Sequence, residues 1–364
     1  MPKLDRTRWH APLVSVVVTH FNYSDHVEDA LLSLLDQSHQ NWECVVVDDA
    51  SAPEHHERLN AIVSELACHK IRVVQNERNL GQIPSFYVGV DNSSGDFVAL
   101  LDPDDRYAET FLQEAVAAHL DDTFMCPQVS ADQYCVTEHG LTAATYMGHL
   151  ALRRAAFETA NLRAFVKNAA APDRIFFPPW WNDWLWSSTS AILFRRPALK
   201  YLRPHRPLAY RRAADSYLAS GAHMLGGTLF LPKPLVYRRV HSRNGFLTAD
   251  LFSMDQSKQR AGAEQWYLTC RRDVVEAMFH NGVADIFDAA FLSTILKIHF
   301  SADDLDLLRA TSAGVATLPL SLAKAPPSAP EPASAPGLAR ESALARGWRR
   351  LRKSGAWRWA AAPE

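Results

Sequence analysis

Three carboxylates fall within four residues, at Asp102, Asp104 and Asp105, closing the segment G-D-F-V-A-L-L-D-P-D-D that begins at Gly95. Carboxylates this close repel one another unless a cation neutralises them. Hard oxygen ligands suit Mg²⁺ or Mn²⁺, and Mg²⁺ commonly sits between one or two carboxylates and the phosphates of a substrate. Taken alone, the stretch also reads as a solvated acidic turn. A second acidic pair, Asp48 and Asp49, closes another apolar run in C-V-V-V-D-D-A-S. A carboxylate such as Asp49 can accept the imide N–H of uracil or thymine. In the loop T-H-F-N-Y, Phe21 or Tyr23 can stack on a base, or simply pack within the loop.

Both acidic groups need elements that deliver them to one place. Phe97–Leu101 is an unbroken apolar run of strand length, the pattern of a strand buried on both faces. Pro103 stops it, through its own fixed φ and its bias of Asp102 toward extended geometry. Upstream, Leu13–Thr19 reads as a β-branched strand, and His26–Leu35 as a helix with Val27, Ala30, Leu31, Leu34 and Leu35 at helical spacing. Cys44–Val47 follows as a strand, Glu54–Cys68 as a helix, Ile71–Gln75 as a strand, and a further helix starts after Asn79-Leu80-Gly81. This alternation predicts an α/β fold with a mostly parallel sheet sandwiched by helices. Ligands in open α/β sheets bind at the carboxyl ends of the strands. Asp49 and the Asp102–Asp105 cluster are therefore expected at one edge. Neither G-x-G-x-x-G nor G-x-x-x-x-G-K-[ST] occurs, so the usual dinucleotide and P-loop sites are excluded.

The composition leaves room for such a site. A chain of 364 residues, 48% hydrophobic and 21% charged, can bury a large core. A net charge of −2 gives no case for nucleic acid as a partner. The five cysteines form no C-x-x-C pair and are odd in number, which predicts reduced thiols and a cytoplasmic protein. No apolar run reaches 18 residues and the start lacks a signal-peptide core, so a soluble enzyme-sized part is expected.

Residues 13–120 resemble the nucleotide-binding half of a family 2 glycosyltransferase with the GT-A fold. The matching segments are S-V-V-V-T-H-F-N, L-L-D-Q-S, C-V-V-V-D-D-A-S, N-L-G-Q and G-D-F-V-A-L-L-D-P-D-D. The resemblance implies inverting, metal-dependent transfer of a sugar from a nucleoside diphosphate donor, UDP- or dTDP-linked on the reading of Asp49, in surface polysaccharide or glycan assembly. It places Thr19 and Asp49 at the nucleobase, and Asp104 and Asp105 at the donor ribose and sugar side and the metal. One departure stands out: where many members carry Arg-Asn, this chain has Phe86-Tyr87, so a positive contact to the donor is missing or supplied elsewhere. Two other readings stay open, a catalytically silent nucleotide-sugar binding module and a nucleotidyltransferase.

The resemblance continues more thinly through residue 245, the end of the expected catalytic domain, with 121–245 as its acceptor half. T-S-A-I-L-F-R-R is similar to the family's acceptor-side strand. Trp181 and Trp184, with Asp183 between them, precede it as acceptor-side candidates that can stack on a sugar or a lipid-linked acceptor, or fill the core. In Y-R-R-A-A-D-S-Y, Asp215 matches the family position of the general base. In Y-R-R-V-H-S-R-N, His241 matches a histidine near the donor diphosphate and is a candidate metal ligand, with Arg238, Arg239 or Arg243 as phosphate partners. Residues 246–318 read as a helical appendage, with helices over Phe252–Phe279 and Val283–His299 and a capping box at Ser301-x-x-Asp304. Residues 319–337 are a Pro/Ala-rich linker. The tail 338–364 carries seven basic residues against two acidic ones, interleaved with Trp348, Trp357 and Trp359. Such a tail suits peripheral contact with an anionic membrane, or a solvated end.

Overall fold

The computed structural model describes residues 11–121, 125–137, 142–144, 174–182, 188–241 and 256–320. Trp184, Asp183, Arg243, most of the linker and the basic tail lie outside the described residues.

The first half follows the sequence pattern closely. β1 (Val14–His20), β2 (Trp42–Asp48), β3 (Ile71–Gln75) and β4 (Phe97–Leu101) alternate with α1 (Val27–Leu35), α2 (Pro53–Leu66) and α3 (Gln82–Asp91). Every residue of β1 and β4 is buried, as their uninterrupted apolar runs require. β5 (Arg106–Tyr107) and α4 (Phe111–Leu120) follow, then β6 (Gln128–Thr137), β7 (Thr142–Ala144), β8 (Ile175–Phe177) and β9 (Ile192–Arg195). α5 (Arg196–Leu202), a π-helical turn at Asp215–Ala219, α6 (Ser220–Gly226) and β10 (Thr228–Val240) lead into α7 (Gln256–His280), α8 (Ala289–His299), α9 (Ala302–Thr311) and α10 (Ala313–Ala316).

These strands form one sheet in the order β3-β2-β1-β4-β9-β6-β10-β5, with β7 beside β6 and β8 beside β10. β1 to β4 are mutually parallel, as expected from their crossover helices. The second half is mixed. β9 runs antiparallel to both β4 and β6, β10 is parallel to β6, and β5 and β8 are antiparallel to β10. β9 follows a 3-10 turn at Thr189–Ala191.

The alternating faces of the sheet build two cores. Val14, Val16 and Val18 pack with Leu31 and Leu34 of α1, Leu59 of α2 and Phe111 of α4. Val17, Val45, Val47, Val98 and Leu100 pack with Ile83 and Phe86 of α3, Leu199 of α5 and Tyr217 of the π turn. Val274, Val275 and Met278 of α7 and Leu292 and Leu296 of α8 belong to this second core, so the C-terminal helices share the interior of the sheet. Arg206 ties the loop after α5 to Asp273 at 2.7 Å and to Glu276 at 2.8 Å, both on α7. All five cysteines are unpaired thiols. Among the described residues, no helix is long and apolar enough to cross a membrane.

Candidate active site

The acidic cluster sits at the carboxyl end of β4, in a tight turn where the Asp105 N–H donates to the Asp102 carbonyl at 3.1 Å. Asp105 is turned inward and only 2% exposed. Its Oδ2 accepts from the Ser190 hydroxyl at 2.6 Å, and its Oδ1 accepts the Arg239 backbone N–H at 3.1 Å. The same Ser190 oxygen accepts the Asp102 N–H at 3.1 Å, so one hydroxyl spans the turn. Burial, reinforced by the adjacent Asp104 carboxylate, pushes Asp105 up to about 7. Asp102 is likewise held well above the usual carboxylate range, first by burial and then by Asp105, Asp104 and Asp215. The Asp104 side chain is 12% exposed and faces the buried His241, whose Nε2 lies 3.0 Å from Oδ2. His241 arrives here because β10 runs its full length to Val240 and ends beside the cluster.

The second acidic pair divides its labour by strand alternation. Asp48 points to the α2 side, where His20 Nδ1 lies 3.1 Å away and His56 Nδ1 2.7 Å away. Burial alone would raise its carboxyl, but hydrogen bonds from His20, Ser51 and His56 outweigh that and bring it down to about 2. Asp49 points the other way. Its Oδ1 accepts from Asn76 Nδ2 at 2.8 Å and from the Leu80 N–H at 2.7 Å, and its Oδ2 accepts the Gly81 N–H at 2.8 Å. A carboxylate offers about four acceptor positions, so three are spent on fixing the loop before α3. Gly81 has φ +91°, and a Cβ there would stand 3.1 Å from the Arg211 Cα, so only glycine fits without displacement.

Asp215 comes from the opposite half of the chain. It opens the π-helical turn directly after Ala213, whose φ of 89° is rare for a residue with a side chain, and Ala214. Its Oδ1 accepts the Ser216 N–H at 2.7 Å. Burial raises its carboxyl above the ordinary aspartate value, only partly offset by the Ser216 N–H and by Arg238. Buried Tyr217 and Leu218, in the same turn, pack into the core that includes Val274 and Val275 of α7, which backs the turn from behind.

One cavity of about 440 Å³ collects these groups. Thr19, Phe21, Asp49, Asp102, Asp104, Asp105 and Asp215 all line it. Phe21 is 45% exposed, which leaves a ring face for stacking. Trp181 does not line it: the indole packs edge-on against Phe177 at 5.4 Å and rests on the core. Trp181 is only partly buried there. Phe86 and Tyr87 are buried, with the Tyr87 hydroxyl donating to the Leu199 carbonyl at 3.0 Å, so they are core residues. Positive charge enters the cavity through Arg211, Arg212 and Arg238 instead. Sequence reasoning passed over Arg211, Arg212, Gln82, Ser188 and Ser190 as site residues. S-S-T-S before an apolar run and the Gln of N-L-G-Q were visible, but nothing in one sequence ties a serine or a glutamine to an aspartate about 85 or 20 positions away.

Comparison with known proteins fits this geometry. Residues 15–170 match the model of glycosyl transferase family 2. An uncharacterized glycosyltransferase of Nostoc sp. is 26% identical over 252 residues, covering 69% of this chain and 72% of the relative. TuaG of Bacillus subtilis, a glycosyltransferase named for teichuronic acid biosynthesis, is 36% identical over 108 residues, covering 30% of this chain and 42% of its own length. The solved structure of GalNAc-T7 with UDP, GalNAc and Mn²⁺ superposes with a TM-score of 0.51 at 14% identity, covering 83% of this chain and 54% of that one. That likeness concerns the fold, which is of the GT-A type. Residues 15–170 are thus what matches glycosyl transferase family 2, and the relatives that match this chain are named glycosyltransferases.

Proposed function

We propose that the chain transfers a glycosyl group from a nucleoside diphosphate sugar to an acceptor hydroxyl, with inversion and with a divalent cation. The observation that carries this reading is that Asp215, from the second half of the chain, shares one cavity with the Asp102–Asp105 cluster from the first. A binding module needs the cluster alone; a further carboxylate brought to the same cavity from the other half of the chain supports a reaction.

The side chains suit Mg²⁺ or Mn²⁺. Burial first holds Asp102 and Asp105 above their ordinary range, and carboxylate repulsion adds to it, from Asp104 on both and from Asp105 on Asp102, a repulsion that a cation relieves. The 3.0 Å between Asp104 Oδ2 and His241 Nε2 matches the edge of an octahedron with bonds of about 2.1 Å. Among the described residues no three ligand-type side chains converge into a self-sufficient metal site. Such a partial ligand set leaves positions for donor phosphates, as is usual for Mg²⁺. Asp104 and His241, with Asp105 behind them, would hold the ion, which supplies charge to stabilise the departing diphosphate.

The residues of the chain do the rest. Thr19, Phe21 and Asp49 border the nucleobase end, with the one acceptor position left on Asp49 Oδ2 suited to an imide N–H of uridine or thymidine. Asp215 takes the proton from the acceptor hydroxyl, and its raised affinity for that proton makes it a better base than an ordinary aspartate. The acceptor oxygen bonds to the anomeric carbon as the bond to the diphosphate oxygen breaks, and the electron pair leaves with the nucleoside diphosphate. Attack from the face opposite the leaving group inverts the anomeric centre. TuaG's name supports a glycan acceptor, in the assembly of a surface polysaccharide.

The test is incubation with a panel of nucleoside diphosphate sugars, with and without Mn²⁺, following release of the nucleoside diphosphate. Metal-stimulated turnover of one donor supports the reading. Tight binding of a donor with no release, under any acceptor or by water, would leave the binding module in its place.

A further inference from the structure

The nucleotide half and the base-bearing turn are joined at Gln82, the first residue of α3. Its backbone N–H donates to the Arg211 carbonyl at 2.8 Å. Its side-chain Nε2 donates to Asp102 Oδ1 at 2.8 Å, and its Oε1 accepts the Ala214 N–H at 3.2 Å. Only this amide orientation satisfies both partners, since the flipped amide would set oxygen against carboxylate and N–H against N–H. Arg211 completes the seam by donating from Nη1 to the Asn79 carbonyl at 2.7 Å. Between the two backbone anchor points lies Ala213, buried and at a φ of 89°. Such a conformation in a residue with a side chain persists only where the surroundings over-determine it. Ala214 stands at the N-cap of the π turn and its own side chain makes no capping hydrogen bond there. The Gln82 oxygen fixes the Ala214 backbone instead, from 132 residues away.

We infer that Gln82 is a positioning residue for the transfer reaction: it holds the strained Ala213–Ala214 turn so that Asp215 faces the cavity, and ties that turn to Asp102. The inference rests on Asp215 being the base. Gln82 acts on the reaction through Asp215, so its loss lowers turnover and leaves donor affinity in place. A purely structural glutamine would lower the melting temperature and affect binding and turnover alike.

The experiment is a double-mutant cycle in the full chain with Gln82→Met, which keeps the side-chain length and deletes both hydrogen bonds, and Asp215→Asn. Turnover is followed as nucleoside diphosphate release, and donor affinity by calorimetry. Gln82→Met is expected to lower kcat by about tenfold or more, within the range of misplaced catalytic groups, and to change the donor Kd by less than about threefold. Added to Asp215→Asn, it should lower the residual rate by less than about twofold, because residues acting as a unit are non-additive. A kcat within about threefold of wild type, a donor Kd that worsens in step with kcat, or a full additional loss in the Asp215→Asn background each overturns the inference. If Asp215→Asn itself keeps near wild-type kcat, the base assignment falls and takes the inference with it, an outcome distinct from those three. Should Gln82→Met fail to fold, Gln82→Asn, one methylene too short to span both partners, is held to the same outcomes.

Discussion

The imidazole Nε2 of His241 lies 3.0 Å from Asp104 Oδ2, across 137 residues of sequence. The two side chains meet because β10 runs parallel to β6 for its whole length and delivers its last residues to the end of β4. If the pair is part of a cation site, His241→Ala and Asp104→Asn should each weaken nucleoside diphosphate binding in Mn²⁺. Binding without Mn²⁺ should change little. Calorimetry with and without the ion reads this difference. A pair that serves only to join β10 to the β4 turn would instead lower the melting temperature and leave the Mn²⁺ dependence at its wild-type size.

A second prediction concerns the nucleobase. Asp49 has one acceptor position left after holding Asn76, Leu80 and Gly81. An imide N–H placed there makes uridine and thymidine diphosphates bind better than adenosine or guanosine diphosphates. A hydrogen bond to a charged group is worth about 1.5–3 kcal/mol, or about 10–150-fold in Kd. Competition among the four nucleoside diphosphates checks it, and equal or tighter binding of the guanosine compound would remove this role from Asp49 while leaving its grip on the α3 loop intact.

The parts of this site that were legible in the sequence are those that local pattern dictates. β1, β2 and β4 are apolar runs that end in polar or acidic residues, so the pattern alone puts Thr19, Asp49 and the Asp102–Asp105 cluster at one edge. Asp215 came from likeness to a family; nothing local marks it, since its π turn follows a positive-φ alanine that no propensity predicts. The mixed second half of the sheet was not legible either, because antiparallel strands such as β9 are set by which edge is vacant, a long-range fact. Trp181, expected either as a sugar platform or as core, lies partly buried against Phe177 and outside the cavity lining. Gln82 and Ser190 escaped notice because their partners, Asp102 and Asp105, are chosen by the fold, and a single amide or hydroxyl carries no periodicity.

The pH dependence of turnover gives a third prediction. A base must be unprotonated to act, so kcat falls as pH falls through the pKa of Asp215. Burial raises that pKa, so the acid limb should have its midpoint above the ~3.9 of an ordinary aspartate. The measurement is a pH profile of kcat at saturating donor and cation. In Asp215→Asn the limb should disappear from the residual rate. A limb that survives unchanged in that variant belongs to another group.

The last prediction separates a transferase from a binding module. An acceptor hydroxyl is a weak nucleophile at neutral pH, and inverting attack needs a base on the face away from the leaving diphosphate. Asp105 is committed to Ser190 and Arg239, Asp104 faces His241, and Asp49 holds the α3 loop. Asp102 accepts from Gln82 and stands within the repelling cluster. Among the described carboxylates lining the cavity, Asp215 remains, with its Oδ1 accepting from the N–H and hydroxyl of its neighbour Ser216. Asp215→Asn keeps the size and can still face Ser216, but it cannot take a proton. Loss of a general base costs about 10²–10⁴-fold in rate. Donor affinity should stay within about threefold of wild type, because this side chain comes from the expected acceptor half of the chain. A variant that keeps more than about a tenth of wild-type kcat would show that the proton goes elsewhere. Equal losses in turnover and donor binding would instead assign Asp215 to holding the cavity together.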